Sequence, residues 1–370
     1  MSFHHMKMNK SIYIGAMSGT SHDAIDVSFI SVDKNITLEF FYSYKLPKLL
    51  RLKIANQISS NNSSLSDLGK LNKDLGLAFF RAIDIGITKS KITKSKIKCI
   101  AISGQTVRHE IQGKTSFSMQ LGDPNIVAAR TSIPVAYDFR NMHIALGGQG
   151  APLVPEFHEK IFFKKNKPRI ILNIGGIANY TYLGKKSQPW GSDTGPGNAL
   201  MDAYCSLKLG TNFDKNGASA SKGTVINKEL KKLLSNKFFM LPAPKSTGKE
   251  LFNFKLLSEE LLKHAYEDIL ATLSEFTAKS ISDSISKNKH LHSQIIVCGG
   301  GSKNTNLINR IKAHHGDDLL LSEELGFDSQ AIESMAFAWL GYKRLYKKKS
   351  SIQLGAKKYT KGILGSIART

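Results

Sequence analysis

The chain has little of what would tie it to secretion, a structural metal or a membrane. Only three of its 370 residues are cysteines, Cys99, Cys205 and Cys298. Each stands among apolar neighbours, with none of the CxxC spacings of zinc or redox sites, so reduced core thiols are expected and no metal ligand is assigned. No apolar run reaches the roughly 18 residues that a membrane helix needs. The opening MSFHHMKMNK lacks the apolar stretch of a signal peptide, so a cytoplasmic protein without a membrane partner is expected. Acidic residues are scarce: 29 Asp and Glu face 52 Lys and Arg, a formal charge of +23. Such an excess serves nucleic acids when it is clustered. Here the densest groups, Lys94 to Lys98 and Lys347 to Lys349, adjoin Ser-rich stretches and lack interleaved aromatics. A solvated basic surface with no nucleic-acid partner follows. The usual nucleotide signatures are also missing. STGKEL has Ala243 where a P-loop needs its first glycine, and GGGSKN departs from GxGxxG at Asn304.

What is present is ordinary globular composition over a length that favours two domains. The first 45 residues read as a β-meander: IYIG, a Gly/Ser turn, a run through Ile25, Val27 and Phe29, then a third through Ile36, Leu38, Phe40 and Tyr42. From Ser64 the period changes, and Leu65, Leu68, Leu71, Leu75, Phe79 and Ala82 mark one helical stripe. The strand IKCIAIS follows, then a short helix capped by Asp123 with Pro124 at its first position. The order then returns: RIILNI into Gly175 and Gly176, ANYTYL, helices, and QIIVC into Gly299 to Gly301. Two α/β halves with matched glycine turns would make a cleft for a polyphosphate, because glycine lets backbone N–H groups approach phosphate oxygens.

Six small-residue loops stand at strand ends: MSGTS, SGQT, GGQGAP, NIGGIAN, DTGPGN and CGGGSKN. Any one alone is a common turn. Together, several of them carrying hydroxyls, they point to phosphate chemistry. In DTGPGN a helix expected to begin near Pro196, carrying Leu200, Tyr204 and Leu207, brings free N–H groups beside Asp193. That carboxylate is either a helix cap or a general base.

In order, MSGTSHDAID, GQTVRH, DFR with GGQGAPLVPEFH, NIGGIAN, SDTGPGNALMDAY, STGKELFN, CGGGSKN and ESMAFAWL resemble the anhydro-N-acetylmuramic acid kinases of the actin, Hsp70 and sugar-kinase superfamily. The likeness spans roughly residues 12 to 366. It implies an α/β, two-lobed actin-like ATPase (ribonuclease H-like) fold with duplicated mixed-sheet domains and a central cleft. The first lobe would be 1–143 plus 341–370, the second 144–340. It implies a cell-wall recycling kinase that opens the 1,6-anhydro ring of anhydro-N-acetylmuramate and phosphorylates O6, using ATP with Mg2+, as a homodimer.

Residue for residue, Asp193 would be the base. Ser18, Gly19, Thr20, Ser21, His22, Asp23, Ala24 and Ile25 would form a first ATP loop and Gly175 and Gly176 a second, with Gly299, Gly300, Gly301 and Ser302 near the nucleoside. Gln105, Asp138, Arg140, Gln149 and Glu333 would face the sugar. Read without the resemblance, Asp138 and Arg140 are equally a local ion pair on a strand and Glu333 an exposed helix residue. His109 and His158 read as packed residues. Three departures from the family pattern stand out: His22 and Ala24 for Leu and Gly, Ser103 for a His, and Trp190 for an Arg. Ala24 would forbid a positive φ if the loop needs one there. An actin-like or Hsp70-like ATP-driven binding module is the alternative; it calls for a dedicated contact segment, and after residue 345 only about 25 mostly polar residues remain.

Overall fold

A computed structural model describes residues 10–370 apart from 20, 61, 112–114, 185–187, 249–250, 289, 291, 317 and 355–357. The apolar runs of the opening segment fold as expected into β1 (Ile12–Ser18), β2 (Ala24–Val32) and β3 (Ile36–Lys45), each antiparallel to the next. Helices α1 (Lys48–Ser59) and α2 (Leu65–Ser90) follow. Ser64 caps α2 by accepting from the Asp67 N–H. Its stripe buries Leu71, Leu75, Phe79 and Ala82, while Leu65, at the start of the helix, stays exposed. Next come β4 (Ile97–Ile102), the hairpin β5 (Gln105–Glu110) and β6 (Phe117–Leu121), and α3 (Pro124–Thr131). Asp123 caps α3 through the Asn125 N–H, with Pro124 opening it. Then β7 (Val135–Tyr137), α4 (Phe139–Ala145) and α5 (Pro155–Phe162) complete the first half.

The second half begins with β8 (Arg169–Ile174), β9 (Ile177–Leu183) and β10 (Trp190–Pro196). Helices α6 (Ala199–Tyr204), α7 (Asn227–Leu234) and α8 (Tyr266–Lys287) precede β11 (Gln294–Cys298), α9 (Thr305–His315) and β12 (Leu319–Leu321). The chain ends with α10 (Ile332–Leu345), β13 (Ser350–Gln353), β14 (Tyr359–Gly362) and β15 (Ser366–Ala368). So the polar stretch after residue 345 is built into a β13–β14 hairpin and an edge strand, β15, paired with β7.

Two compact units result: Met1–Ile161 with Ala331–Thr370, and Phe162–Gln330. The first holds a six-stranded sheet in the order β15-β7-β4-β1-β2-β3, the second a five-stranded sheet in the order β10-β9-β8-β11-β12. In each, three antiparallel strands lead, and two later strands join parallel to the first. Numbering each unit's main strands by themselves gives 3-2-1-4-5 both times, the ribonuclease H-like order. The repetition expected from strand and glycine-turn order is therefore present in the topology.

Each sheet has its own core. Ile14, Val27, Phe29, Leu75, Phe79 and Ile100 anchor the first; Ile170, Leu172, Phe252, Phe276 and Ile295 anchor the second. α10 lies against β1, β2 and β4 so closely that a methyl on Gly15 would overlap the backbone of Ser334 and Ala338. All three cysteines are buried thiols. Burial pushes Cys99 up to about 12 and Cys205 up to about 11, which keeps both unreactive.

Candidate active site

In the first unit, the end of β1 is tied to the residues that follow β4. The Ser18 N–H donates to Ser103 Oγ at 3.0 Å, and Ser18 Oγ donates to Gln105 Oε1 at 2.7 Å. Gln105, fully buried, turns its Nε2 toward the Gly19 carbonyl at 3.4 Å. Ser18, Gly19 and Gln105 are thus one polar cluster, in which Ser103 supplies the acceptor for the last β1 amide. Ser21 Oγ donates to Asp23 Oδ1 at 2.5 Å, and the His22 N–H closes a turn on the Gly19 carbonyl. Thr20 lies outside the described residues. Ala24 opens β2 in ordinary extended backbone, while His22 takes the positive φ of 43°. The glycine-to-alanine departure is therefore tolerated at Ala24, and any conformational cost falls on His22. Ile25 places its side chain in the core.

The DFR segment differs from a strand pair. Asp138 has left β7, takes a positive φ of 56° and precedes α4, and Arg140 lies inside that helix. Side chains two apart on a strand would share a face; at a helix start they diverge. Asp138 Oδ1 accepts from Asn141 Nδ2 at 2.8 Å. It lines a cavity of about 370 Å³ together with Ser103, Gln120, Tyr137, Asn141 and Asn72. Arg140 Nη1 donates to the Gly150 carbonyl at 3.0 Å, and the Gly150 N–H donates to His143 Nδ1 at 2.9 Å. Two side chains of α4 thereby grip the turn carrying half-buried Gln149. Because His143 Nδ1 accepts, its imidazole is neutral, and burial beside Arg140 pushes it down to about 4. Burial, with Arg140 again, pushes His109 down to about 4, and burial pushes His158 down to about 3. His109 and His158 are packed residues, as expected of them. Glu333 stands half-buried in the first turn of α10.

In the second unit, the helix after DTGPGN starts later than expected. Pro196 ends β10 and α6 begins at Ala199, so Asp193 sits on the strand. The amides expected to be free are used: Gly197 and Ala199 donate to the Gly176 carbonyl and Asn198 to the Gly175 carbonyl, at 2.8–3.0 Å. These bonds join the Asp193 segment to the Gly175–Gly176 turn. A methyl on Gly197 would overlap the Gly175 carbonyl, so only glycine permits that approach. The β9–β10 register slips between Asp193 and Gly195, a bulge that re-aims the half-buried Asp193 side chain. Asp193 Oδ2 accepts from the Thr247 N–H at 2.8 Å. Lys245 is drawn nearby; burial and Lys287 push its ammonium down to about 8, opposed by the Asp193 charge.

After β11, Gly299 takes a φ of 81°, Ser302 Oγ donates to its carbonyl at 2.8 Å, and Gly301 packs directly on Ile174 at the end of β8. The Gly299–Ser302 turn, with Gly300 at its exposed edge, therefore lies beside the strand end that leads into Gly175. The residues holding Asp193, namely Ser192, Lys245 and Thr247, escaped sequence reasoning. Ser192 stood in the SDTGPGN motif and Thr247 in STGKELFN, both matched by the resemblance without a role for these residues, and Lys245 stood just outside the second.

A repeated 3-2-1-4-5 sheet with small-residue turns at its strand ends defines the actin-like ATPase class of fold. Within that class, the family model for anhydro-N-acetylmuramic acid kinase matches residues 11–370. A protein of the gamma-proteobacterium EBAC31A08 named anhydro-N-acetylmuramic acid kinase is 58% identical over 363 residues, covering 98% of this chain and 100% of its own. One of the same name from Shewanella pealeana is 42% identical, covering 90% of this chain and 92% of its own. The chain belongs to the anhydro-N-acetylmuramic acid kinase family. Among solved structures, component A of the (R)-2-hydroxyglutaryl-CoA dehydratase of Acidaminococcus fermentans is similar at a TM-score of 0.49 and 11% identity, covering 91% of this chain and 100% of that one. A likeness of that size says nothing about activity.

Proposed function

We propose that the chain converts 1,6-anhydro-N-acetylmuramic acid, water and ATP into N-acetylmuramic acid 6-phosphate and ADP, with Asp193 as the base. Family membership supports the kinase reaction in peptidoglycan recycling. The observation that carries the role of Asp193 is its place on a bulged strand, with one carboxylate oxygen held by a backbone N–H and its segment bonded to a glycine turn.

In this reading Asp193 takes a proton from water as that water attacks the anomeric carbon. The bond from that carbon to O6 breaks, O6 attacks the γ-phosphorus, and the bond from that phosphorus to the β–γ bridging oxygen breaks, so that ADP leaves. An inverting glycosidase uses a second carboxylic acid to protonate its leaving oxygen. Here the phosphoryl group takes the electrons of O6, so one carboxylate suffices. Phosphoryl transfer itself asks mainly for positioning and charge neutralisation.

In the first unit the loop Ser18–Ile25 is assigned to ATP, and Gln105, Asp138, Arg140, Gln149 and Glu333 to the sugar. In the second unit Gly175–Gly176 and Gly299–Ser302 are assigned to ATP and Asp193 to the role of base. Ser21 and Asp23 offer hydroxyl and carboxylate oxygens, the donor type that magnesium takes, so the first loop fits the ion carried by ATP. Bound magnesium supplies neutralisation of phosphate charge. The resemblance also brings a homodimer and a cytoplasmic location into the proposal; light scattering of the purified protein checks the first. Among the described residues, no helix is long and apolar enough to cross a membrane.

Incubation with MgATP and the anhydrosugar, followed by mass spectrometry, tests the reaction. The sugar should gain one water and one phosphoryl group, and an unchanged sugar sinks the reading. Asp193→Asn should abolish turnover while ATP still binds; retained turnover removes Asp193 from the mechanism.

A further inference from the structure

Asp193 owes its setting to a stretch of chain more than fifty residues away in sequence. Residues 242–248 run beside β10 and are laced to it. The Asp193 N–H donates to the Lys245 carbonyl at 2.9 Å, the Lys245 N–H donates to Ser192 Oγ at 3.1 Å, and the Thr247 N–H reaches Asp193 Oδ2. Ser192 is 1% exposed, and its hydroxyl proton is aimed between the carbonyls of Asp193 at 3.2 Å and Lys245 at 3.4 Å. The hydroxyl both accepts from and donates to the two chains it joins, which alanine cannot do.

The segment is also anchored on its outer side. Lys245 Nζ donates to the Phe238 carbonyl at 2.9 Å and lies 4.2 Å over the Phe238 ring. Phe238 and Phe239 pack edge to face and join Phe252 and Phe276. Gly195 accepts the Phe239 ring so closely that an added methyl would stand 2.9 Å from its edge. Burial of Lys245 thus serves to seat the segment, and the aromatic cluster sets its distance from the bulge.

We propose that segment 242–248 is the positioning element of the catalytic base: the Ser192 hydroxyl sets its register on β10, and the Thr247 N–H orients the Asp193 carboxylate. A backbone N–H aimed at a carboxylate favours its ionised form and restricts its rotation. Both effects matter to a base that must meet a water in one geometry, where a misplacement of about 1 Å costs on the order of a hundredfold in rate. The proposal rests on Asp193 being the base.

Ser192→Ala and Thr247→Pro form the test, with Asp193→Asn alongside. Ser192→Ala loosens the register, and Thr247→Pro removes the donor N–H from a half-exposed loop without opening the core. Both should lower kcat roughly 10- to 100-fold. Both should also move the acid limb of the kcat/KM profile to higher pH, with ATP affinity and melting temperature held near wild type. A Ser192→Ala or Thr247→Pro enzyme with an unmoved acid limb overturns the positioning role, whether or not kcat falls. If that result comes with an inactive Asp193→Asn, the base assignment stands and the segment alone is refuted. An active Asp193→Asn refutes both. Should Ser192→Ala melt early, Thr247→Pro decides by itself.

Discussion

Mild acid should destabilise the first unit before its carboxylates titrate, because three histidines packed inside it, His109, His143 and His158, are held neutral. His143 must accept the Gly150 N–H, and burial pushes it down to about 4. His158 is 2% exposed and pushed down to about 3. An unfolded histidine titrates near ~6.5. With folded values depressed, the unfolded chain binds more protons below that point, so stability falls as pH falls. The contribution is present in full above about 6.5, is lost progressively below it, and levels off once the folded groups protonate near 3 to 4. From pH 7 to pH 5 a fully buried group of this kind costs about 2 kcal/mol and half-buried His109 somewhat less, about 5 for the three.

The assay is urea unfolding followed by Trp fluorescence. The two tryptophans fall one to each unit, Trp339 in the first and Trp190 in the second, so Trp190→Phe leaves a reporter of the first unit alone. Its unfolding free energy should drop by about 5 kcal/mol between pH 7 and pH 5. His143→Gln supplies an acceptor that does not titrate and should remove about 2 kcal/mol of that drop. A midpoint that stays put across this range refutes the reasoning, as does a His143→Gln slope equal to wild type.

Three further perturbations have directions set by the geometry. Gly197→Ala forces a methyl into the Gly175 carbonyl, an overpacking of about 1–3 kcal/mol; turnover should fall at least tenfold while circular dichroism stays native. Gln105→Leu leaves the buried Ser18 hydroxyl without its acceptor, at about 1–3 kcal/mol; ATP affinity, read by calorimetry, should weaken about tenfold, and unchanged affinity would detach this cluster from the nucleotide. Gly15→Ala drives β1 off α10 and should cost about 3 kcal/mol, visible as a lower melting temperature of the first unit.

Local periodicity and turn chemistry made much of the fold legible. The meander, the α2 stripe, the Asp123–Pro124 helix start and the two glycine-punctuated repeats depend on residues near in sequence. What failed were boundaries set by distant partners. Pro196 read as a helix start because proline favours that position, but Gly175 and Gly176 take the amides of residues 197–199 and delay the helix to Ala199. Asp138 and Arg140 read as strand neighbours because β7 ends only one residue earlier, where the backbone turns left-handed. Ala24 read as a threat to a glycine-like turn, yet the positive φ belongs to His22.

For the site, the sequence by itself determined which residue types are available: hydroxyls and glycines at strand ends, one carboxylate in DTGPGN, and the motif order that marks the family. Those follow from chemistry written residue by residue. Only the tertiary structure decided what surrounds the carboxylate. The Thr247 N–H and the Phe238–Phe239 pair come to Asp193 from across a gap of some fifty residues, through a bulge in β10 and burial of Lys245, and the neighbouring Ser192 hydroxyl ties that distant segment to the strand. Backbone hydrogen bonds leave no mark on residue identity, since every residue but proline carries the same donor. An interaction made by Thr247 through its main chain is therefore invisible until the fold brings the two strands of chain together.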